Sequence, residues 1–150
     1  VGVGGVVDEG WRASLFGVYD GHSGAKAAAF LRSRLSAAVS TQLRQAAASG
    51  RSGGGAPAGE TIGLDLERAR AALETAFAAV DDELLARGPE GDAGSCAAIA
   101  LVSASHILTA HVGDCRVVLW RKGLALPLTF DHRAGAPAER ARVEGAGGFV

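Results

Sequence analysis

The chain has 150 residues, 48% of them hydrophobic and 21% charged, and its formal net charge is -1 at pH 7. This length and apolar content suffice for one domain with a buried core. The nearly balanced charge excludes a general electrostatic attraction to nucleic acid or to an anionic membrane surface, so we predict neither partner.

The first predicted elements form a β-hairpin. Residues 1–7 and 11–20 are β-compatible runs, and the acidic, glycine-containing segment 8–10 between them is typical of a turn. The second run is apolar enough in its latter half to be a central strand. It ends on Asp20.

Two helices are predicted next, separated by a loop. The segment from Ser23 to about Ala48 repeats apolar residues at three- and four-residue spacings. The insert at about 49–63 is rich in Gly, Ser and Ala, which is typical of a flexible loop within a domain. We expect Asp65 or Thr61 to cap the second helix, which ends at Gly88-Pro89. The apolar stripes comprise Phe30, Leu31, Leu35, Val39 and Leu43 in the first helix and Leu66, Leu73, Phe77, Val80 and Leu84 in the second.

The last third of the chain has the periodicity of sheet. Residues 95–103, 106–113 and 115–121 are predicted to be strands of one antiparallel meander, which 124–129 continues. A short helix with Pro in its first turn is predicted for Pro137 to Ala146. Helices grouped between antiparallel strands indicate an α+β layered fold.

The end of the predicted central strand has the residue types of a metal site. Asp20 supplies hard oxygen, and Gly21 has no side chain to keep a cation from its carbonyl oxygen. His22 follows and can transfer a proton near neutral pH. For an isolated Asp-Gly-His tripeptide, however, a turn followed by a helix-start histidine is the more usual interpretation.

Downstream blocks distinguish between these interpretations. They are Gly94-Ser95-Cys96-Ala97-Ala98, Val112-Gly113-Asp114-Cys115-Arg116, Leu128-Thr129-Phe130-Asp131-His132, the segment Glu139 to Arg142, and Gly147-Gly148. Together with the run from Phe16 to Gly24, their order and spacing resemble the metal-dependent serine/threonine protein phosphatases of the PPM, or type 2C, family. Cys96 and Cys115 stand where the family has Thr and Ser. The family's upstream Met-Glu-Asp run and its later Asp-Gly and Asp-Asn pairs have no match, so residues 1–150 resemble an incomplete domain.

The resemblance implies a fold and a function. The fold is an antiparallel β-sandwich flanked by helix pairs, a four-layer αββα arrangement of which this chain forms part. The activity is hydrolysis of phosphoserine and phosphothreonine in proteins by a metal-activated water, and the expected partners are phosphorylated proteins. The implied cofactors are two Mg²⁺ or Mn²⁺ ions and a third, weaker one. A noncatalytic pseudophosphatase domain with a regulatory or docking role is the alternative function.

The resemblance also implies roles for individual residues. Asp20 and the carbonyl of Gly21 are implied metal ligands, and Asp114 is implied to help hold the weaker ion. His22 is implied to protonate the departing Ser or Thr oxygen. The alternative for Asp114 is that of a β-turn aspartate. Because so few ligands are present, we expect the isolated chain to bind metal weakly and to have little activity.

The number of cysteines and the length of the apolar runs give expectations about where in the cell the protein is located. Cys96 and Cys115 are too few for a disulfide framework and lack metal-ligand spacing, so we expect an intracellular protein of the cytoplasm or nucleus. The longest uninterrupted apolar run, 96–102, is far shorter than the roughly 20 residues that span a bilayer. Since the sequence contains no Met, we expect Val1 to be an internal or processed start. We also expect the protein to be a monomer.

Overall fold

The computed structural model describes residues 13–49, 65–88 and 93–150. The fold is α+β with antiparallel sheets, as predicted. The predicted strand 1–7, the possible cap Thr61 and nearly all of the 49–63 insert lie outside the described residues. The elements in chain order are β1 (Ser14–His22), α1 (Lys26–Ser49), α2 (Leu66–Ala86), β2 (Gly94–Val102), β3 (Ile107–Val112), β4 (Val118–Arg121), β5 (Leu124–Pro127) and α3 (Pro137–Gly145).

The main sheet has the strand order β1-β2-β3, and both pairings are antiparallel. The register opposes Leu15 to Leu101 and Asp20 to Cys96. Because alternate residues of a strand point to opposite faces, each such pair shares one face of the sheet. The central strand of the three is β2, whereas β1, which was predicted to be central, lies at one edge of the described sheet.

Helices α1 and α2 cover one face of this sheet and form the core with it. Leu35 and Val39 of α1 and Ile99 of β2 are the largest fully buried side chains, each at most 1% exposed. The predicted stripe of α1 is buried throughout. Small residues of α2 allow the two helices to approach closely, and the buried residues of α2 are Ala69, Ala72, Leu73, Ala76 and Val80.

The start of α2 confirms one of the two predicted caps. The Asp65 carboxylate accepts a hydrogen bond from the backbone N–H of Arg68 at 3.2 Å. This bond satisfies an N–H group that has no partner within the helix. At the start of α1 the prediction was three residues early, because Ser23 has φ 55° and Gly24 has φ 137°, which are incompatible with a helix.

The predicted single meander is wrong. Among the described strands, β4 and β5 pair with each other in a separate two-stranded sheet, and residues 115–117 are not strand. The break follows Gly113, whose φ of 81° turns the chain away from the pleated direction. The last helix agrees with the prediction, since α3 starts with Pro137 at its N-terminal position.

The second face of the main sheet is partly exposed. Phe16 and Val18 of β1 point to this face and are 43% and 45% exposed. The side chain of Asp20 points to the same face of the sheet as those of Phe16 and Val18. Within the three described ranges, the helices are too short or too polar to cross a bilayer.

Candidate active site

The end of β1 presents two predicted site residues on the same side of the sheet. Asp20 and His22 are two residues apart in the strand, so their side chains share the face opposite the helices. Both residues are exposed. The left-handed conformation of Ser23 turns the chain immediately after His22 and leads it into α1.

Cys96 lies between Asp20 and Asp114. It pairs with Asp20 across the β1–β2 ladder, and its Sγ donates a hydrogen bond of 3.5 Å to Asp114 Oδ1. The backbone of Asp20 in turn hydrogen-bonds to Cys115, the residue after Asp114. The structure therefore brings Asp20 and Asp114, which are far apart in sequence, to the same end of the sheet.

The thiol of Cys115 is held in its neutral form. Burial raises its pKa above the ordinary value, and nearby Cys96, Asp20 and Asp114 raise it further. The hydrogen bond from the Asp20 backbone opposes this effect. A thiol is a weak nucleophile and a weak metal ligand until it loses its proton, so Cys115 is a packing residue in this arrangement.

Gly94 provides the surface on which the His22 ring rests. A Cβ atom at position 94 would lie 2.5 Å from Nε2 of His22 and 2.7 Å from Cε1. Gly94 pairs with His22 in the sheet register. The sequence analysis did not identify this contact. The signal that could have revealed it is the antiparallel pairing of the Asp-Gly-His strand with the Gly-Ser strand.

Gly21 is a site of close packing as well as a candidate metal ligand. A Cβ atom there would lie 3.0 Å from Cβ of Ala28 and 3.1 Å from the carbonyl oxygen of Gly24. These distances are tighter than ordinary van der Waals contact, so a larger residue would push α1 away from the end of β1. Packing is therefore a second physical reason for glycine at this position.

Asp114 follows the sharp turn at Gly113 and is bound by protein groups on both carboxylate oxygens. Oδ1 accepts a hydrogen bond from the Cys96 thiol, and Oδ2 forms an ion pair with Nη2 of Arg133 at 3.3 Å. The Asp114 side chain is 47% exposed. It remains open to solvent at the site.

Arg116 pairs with Asp131 and not with the nearby Asp114. Its Nε and Nη2 donate to the two oxygens of Asp131, each at 2.9 Å. The hydrogen bond from Arg116 is the main cause that holds the pKa of Asp131 below its usual range. Asp131 is only 11% exposed and also forms an ion pair with Nε of Arg133 at 3.2 Å.

The loop that contains Asp131 is tied to the Gly113 turn. The N–H of His132 donates to the carbonyl of Gly113 at 2.9 Å. The hydroxyl of the buried Thr129 accepts from the N–H of Val117 at 2.8 Å. His132 therefore fixes this loop, and its ring also packs against that of His111 with 4.3 Å between centroids.

The donor set of Asp20, the Gly21 carbonyl and Asp114 fits a hard divalent cation. Carboxylate and carbonyl oxygens are the ligands that Mg²⁺ and Mn²⁺ prefer. In the described part of the chain, no three His, Cys, Asp or Glu side chains stand together in an arrangement ready to hold an ion. The donor types therefore fit such an ion, but the described residues do not form a complete coordination shell.

Comparisons with known proteins agree with this fold and these motifs. The family model described as Protein phosphatase 2C matches residues 9–150. Probable protein phosphatase 2C 74 of Oryza sativa subsp. japonica is 38% identical over 142 residues, which make up 91% of this chain and 32% of that protein. Protein phosphatase 2C 56 of Arabidopsis thaliana is 38% identical over 141 residues, 92% of this chain and 30% of that protein.

A solved structure shares the fold. The structure of a C. elegans sex determining protein matches 91% of this chain and 30% of its own, with a TM-score of 0.65 and 20% sequence identity. Together with the family match, the α+β architecture and the Asp-Gly-His strand end define the class. The chain belongs to the protein phosphatase 2C family, and the predicted resemblance is confirmed. It spans about a third of the length of the curated relatives that it matches.

Proposed function

We propose that this chain forms part of the active site of a metal-dependent phosphatase that hydrolyses phosphoserine and phosphothreonine in proteins. One observation supports the proposal most directly: Asp20 and His22 share the sheet face opposite the helices, and Asp114 contacts Cys96, the cross-strand partner of Asp20. The curated relatives are named as protein phosphatases. Phosphorylated proteins are accordingly the proposed substrates.

Asp20 and the Gly21 carbonyl are the proposed ligands of the principal metal site, and Asp114 is the proposed ligand of a weaker one. Bound Mg²⁺ or Mn²⁺ ions would neutralise phosphoryl oxygens and lower the pKa of a coordinated water. Rigidity of the ligands matters here, and Asp20 lies in a strand that is paired along its full length with β2. Asp114 is positioned by the Gly113 turn.

His22 is the proposed general acid. Its imidazole is exposed at the strand end and rests on the backbone of Gly94. From there it can donate a proton to the oxygen of a departing serine or threonine, whose alkoxide is a poor leaving group. The backbone of Gly94 leaves room for the ring, because no side chain occupies that space.

The proposed domain architecture is the four-layer αββα sandwich. The half-exposed apolar side chains Phe16 and Val18 on the second sheet face support it, because such a face is normally covered by another layer. An intracellular, monomeric protein of the cytoplasm or nucleus stays our prediction. The noncatalytic pseudophosphatase stays the alternative function.

The substitution Asp20→Asn in the full-length protein that carries this chain tests the proposal. A neutral amide retains the shape of the side chain but not its charge, so we expect Mn²⁺-dependent hydrolysis of a phosphothreonine peptide to be lost. Asp82→Asn on the exposed side of α2 makes the same chemical change away from the site and should leave activity intact. Parental activity in Asp20→Asn contradicts the assignment of Asp20, whereas an inactive parent protein supports the noncatalytic alternative.

The chain by itself is proposed to be a poor enzyme. Two carboxylates and one carbonyl supply little negative charge for two dipositive ions, and Mg²⁺ gives up its waters reluctantly. We expect the purified 150-residue chain to turn over a phosphothreonine peptide far more slowly than the full-length protein at millimolar Mn²⁺. Equal turnover would mean that other acids of this chain complete the site.

A further inference from the structure

The carboxylate of Asp114 is already neutralised by a neighbouring arginine. Its Oδ2 lies 3.3 Å from Nη2 of Arg133, and its Oδ1 accepts the weak hydrogen bond of the Cys96 thiol. A cation that binds Asp114 approaches these same two oxygens. At Oδ2 the cation meets the positive charge of the Arg133 guanidinium, and the two like charges oppose each other.

Arg133 is held over Asp114 by a second, more deeply placed carboxylate. Its Nε pairs with Asp131 Oδ2 at 3.2 Å, so the guanidinium spans Asp131 and Asp114. Asp131 is only 11% exposed and is bound by both Nε and Nη2 of Arg116. Asp114 is 47% exposed. The two carboxylates that contact Arg133 thus differ, because Asp131 is fixed by Arg116 whereas Asp114 faces solvent.

The backbone keeps these two carboxylates in register. The N–H of His132 donates to the carbonyl of Gly113 at 2.9 Å, which joins the residue next to Arg133 to the residue next to Asp114. This backbone hydrogen bond therefore helps to hold Arg133 close to Asp114. Arg133 itself is 66% exposed, so it can swing away without leaving a buried charge.

We propose that Arg133 is a positioned competitor of the divalent cation at Asp114: the guanidinium neutralises the carboxylate when no metal is bound, and binding of the metal displaces it. The inference rests on the proposed function, because it takes Asp114 as a metal ligand. Exposed ion pairs of this kind are weak, so removal of the competitor should strengthen metal binding by about two- to fivefold.

The experiment measures Mn²⁺ binding to the full-length protein that carries this chain from the electron paramagnetic resonance signal of free aqueous Mn²⁺. The variants are Arg133→Gln, Asp114→Asn, the double variant, and Arg70→Gln as the matched control. Arg70 is an exposed arginine of α2 that is also ion-paired, to Glu74 at 3.0 Å. We expect Arg133→Gln to lower the Kd by about two- to fivefold, Arg70→Gln to leave it unchanged, and Arg133→Gln to have no effect once Asp114 is Asn.

Each contrary result has a distinct meaning. If Asp114→Asn weakens binding but Arg133→Gln does not strengthen it, the competition is refuted and the metal site stands. If Arg133→Gln strengthens binding equally in the Asp114→Asn background, the arginine acts as a general charge and not as a competitor at Asp114. If Asp114→Asn leaves binding unchanged, or no variant binds Mn²⁺, the ligand assignment fails and the competition fails with it. Circular dichroism of each variant establishes that the chains compared are equally folded.

Discussion

Asp20 and Cys96 lie directly opposite each other on β1 and β2, and the thiol of Cys96 reaches Asp114 at 3.5 Å. A small side chain thus separates two acids that come from distant parts of the sequence. The turn that carries Asp114 approaches so closely that a Cβ atom on Gly113 would overlap the Cys96 thiol. The geometry of the site therefore depends on two small residues as much as on the acids.

We predict that Gly113→Ala destabilises the chain and disturbs the Asp114 turn. Position 113 has φ 81°, which costs a residue with a Cβ about 1–2 kcal/mol. The overlap with Cys96 adds to this cost, because a Cβ would also lie 2.9 Å from the Cβ of Cys96. Urea unfolding of the variant should show a loss of at least about 1 kcal/mol.

A double-mutant cycle separates the two causes. Cys96→Ala removes the Sγ atom but not the positive φ, so Gly113→Ala should cost less in that background while remaining unfavourable. Gly135→Ala is the control, because a Cβ there meets nothing within 4 Å. An equal cost of Gly113→Ala in both backgrounds would show that the thiol contact is unimportant.

We predict that His22→Ala in the full-length protein slows hydrolysis of a phosphothreonine peptide by about 100-fold or more but slows an aryl phosphate much less. An aryl oxide leaves readily without a proton, whereas a threonine alkoxide does not. Steady-state rates with both substrates measure the difference. His106→Ala, at the turn at the far end of β2, is the control. Equal slowing of the two substrates would exclude His22 as the general acid.

We predict that Gly94→Ala reproduces part of the His22→Ala effect without removing the imidazole. The new methyl group would lie 2.5 Å from Nε2, so the ring must move off the backbone. Because the ring is the end of an exposed side chain, the loss of stability should be small, about 1 kcal/mol or less. Nitrogen-15 shifts of the imidazole and rates on the two substrates provide the measurement. Unchanged His22 signals would contradict the prediction.

Local patterns in the sequence predicted the helices well, because periodicity and capping act over a few residues. The buried stripe of α1 and the Asp65 cap follow directly from residue spacing. The start of α1 was predicted too early, because the identity of Ser23 does not indicate its left-handed backbone conformation. Short β-runs were also recognised, but periodicity does not state which strands pair, so the separate β4–β5 sheet was missed.

The candidate site was predictable only in part for the same reason. The run from Asp20 to His22 is contiguous and therefore visible in the sequence. The pairing of Arg116 with Asp131 joins residues 15 apart, and that of Arg133 with Asp114 crosses the end of the sheet. Such pairs depend on a loop path that local residue preferences do not determine.

The core between the sheet and α1 gives a quantitative prediction of stability. Leu35 is 1% exposed and lies in the centre of the apolar cluster, so Leu35→Ala should cost about 2–5 kcal/mol in free energy of unfolding. Leu85→Ala on α2 is the matched control, since this leucine is 68% exposed and should cost about 0.5 kcal/mol or less. Similar losses for both would contradict the described packing of α1.

The Asp131 carboxylate gives a prediction for pH dependence. Its hydrogen bond to Arg116 holds the pKa of Asp131 below the ordinary value of 3.8 in the folded chain. Between the folded and unfolded pKa values the unfolded chain binds more protons, so the free energy of unfolding rises with pH there. The stabilising contribution is therefore complete above the unfolded pKa and is lost as the pH falls through the folded one.

Asp131→Asn removes this contribution, so the wild-type chain should be more stable than the variant at pH 6, and the difference should shrink towards pH 3. Urea unfolding across this range measures it. Glu139 also has a lowered pKa, through Arg142, but it is present in both chains and cancels in the difference. A difference between wild type and Asp131→Asn that is constant from pH 6 to pH 3 would mean that the Arg116 pair does not stabilise the ionised carboxylate.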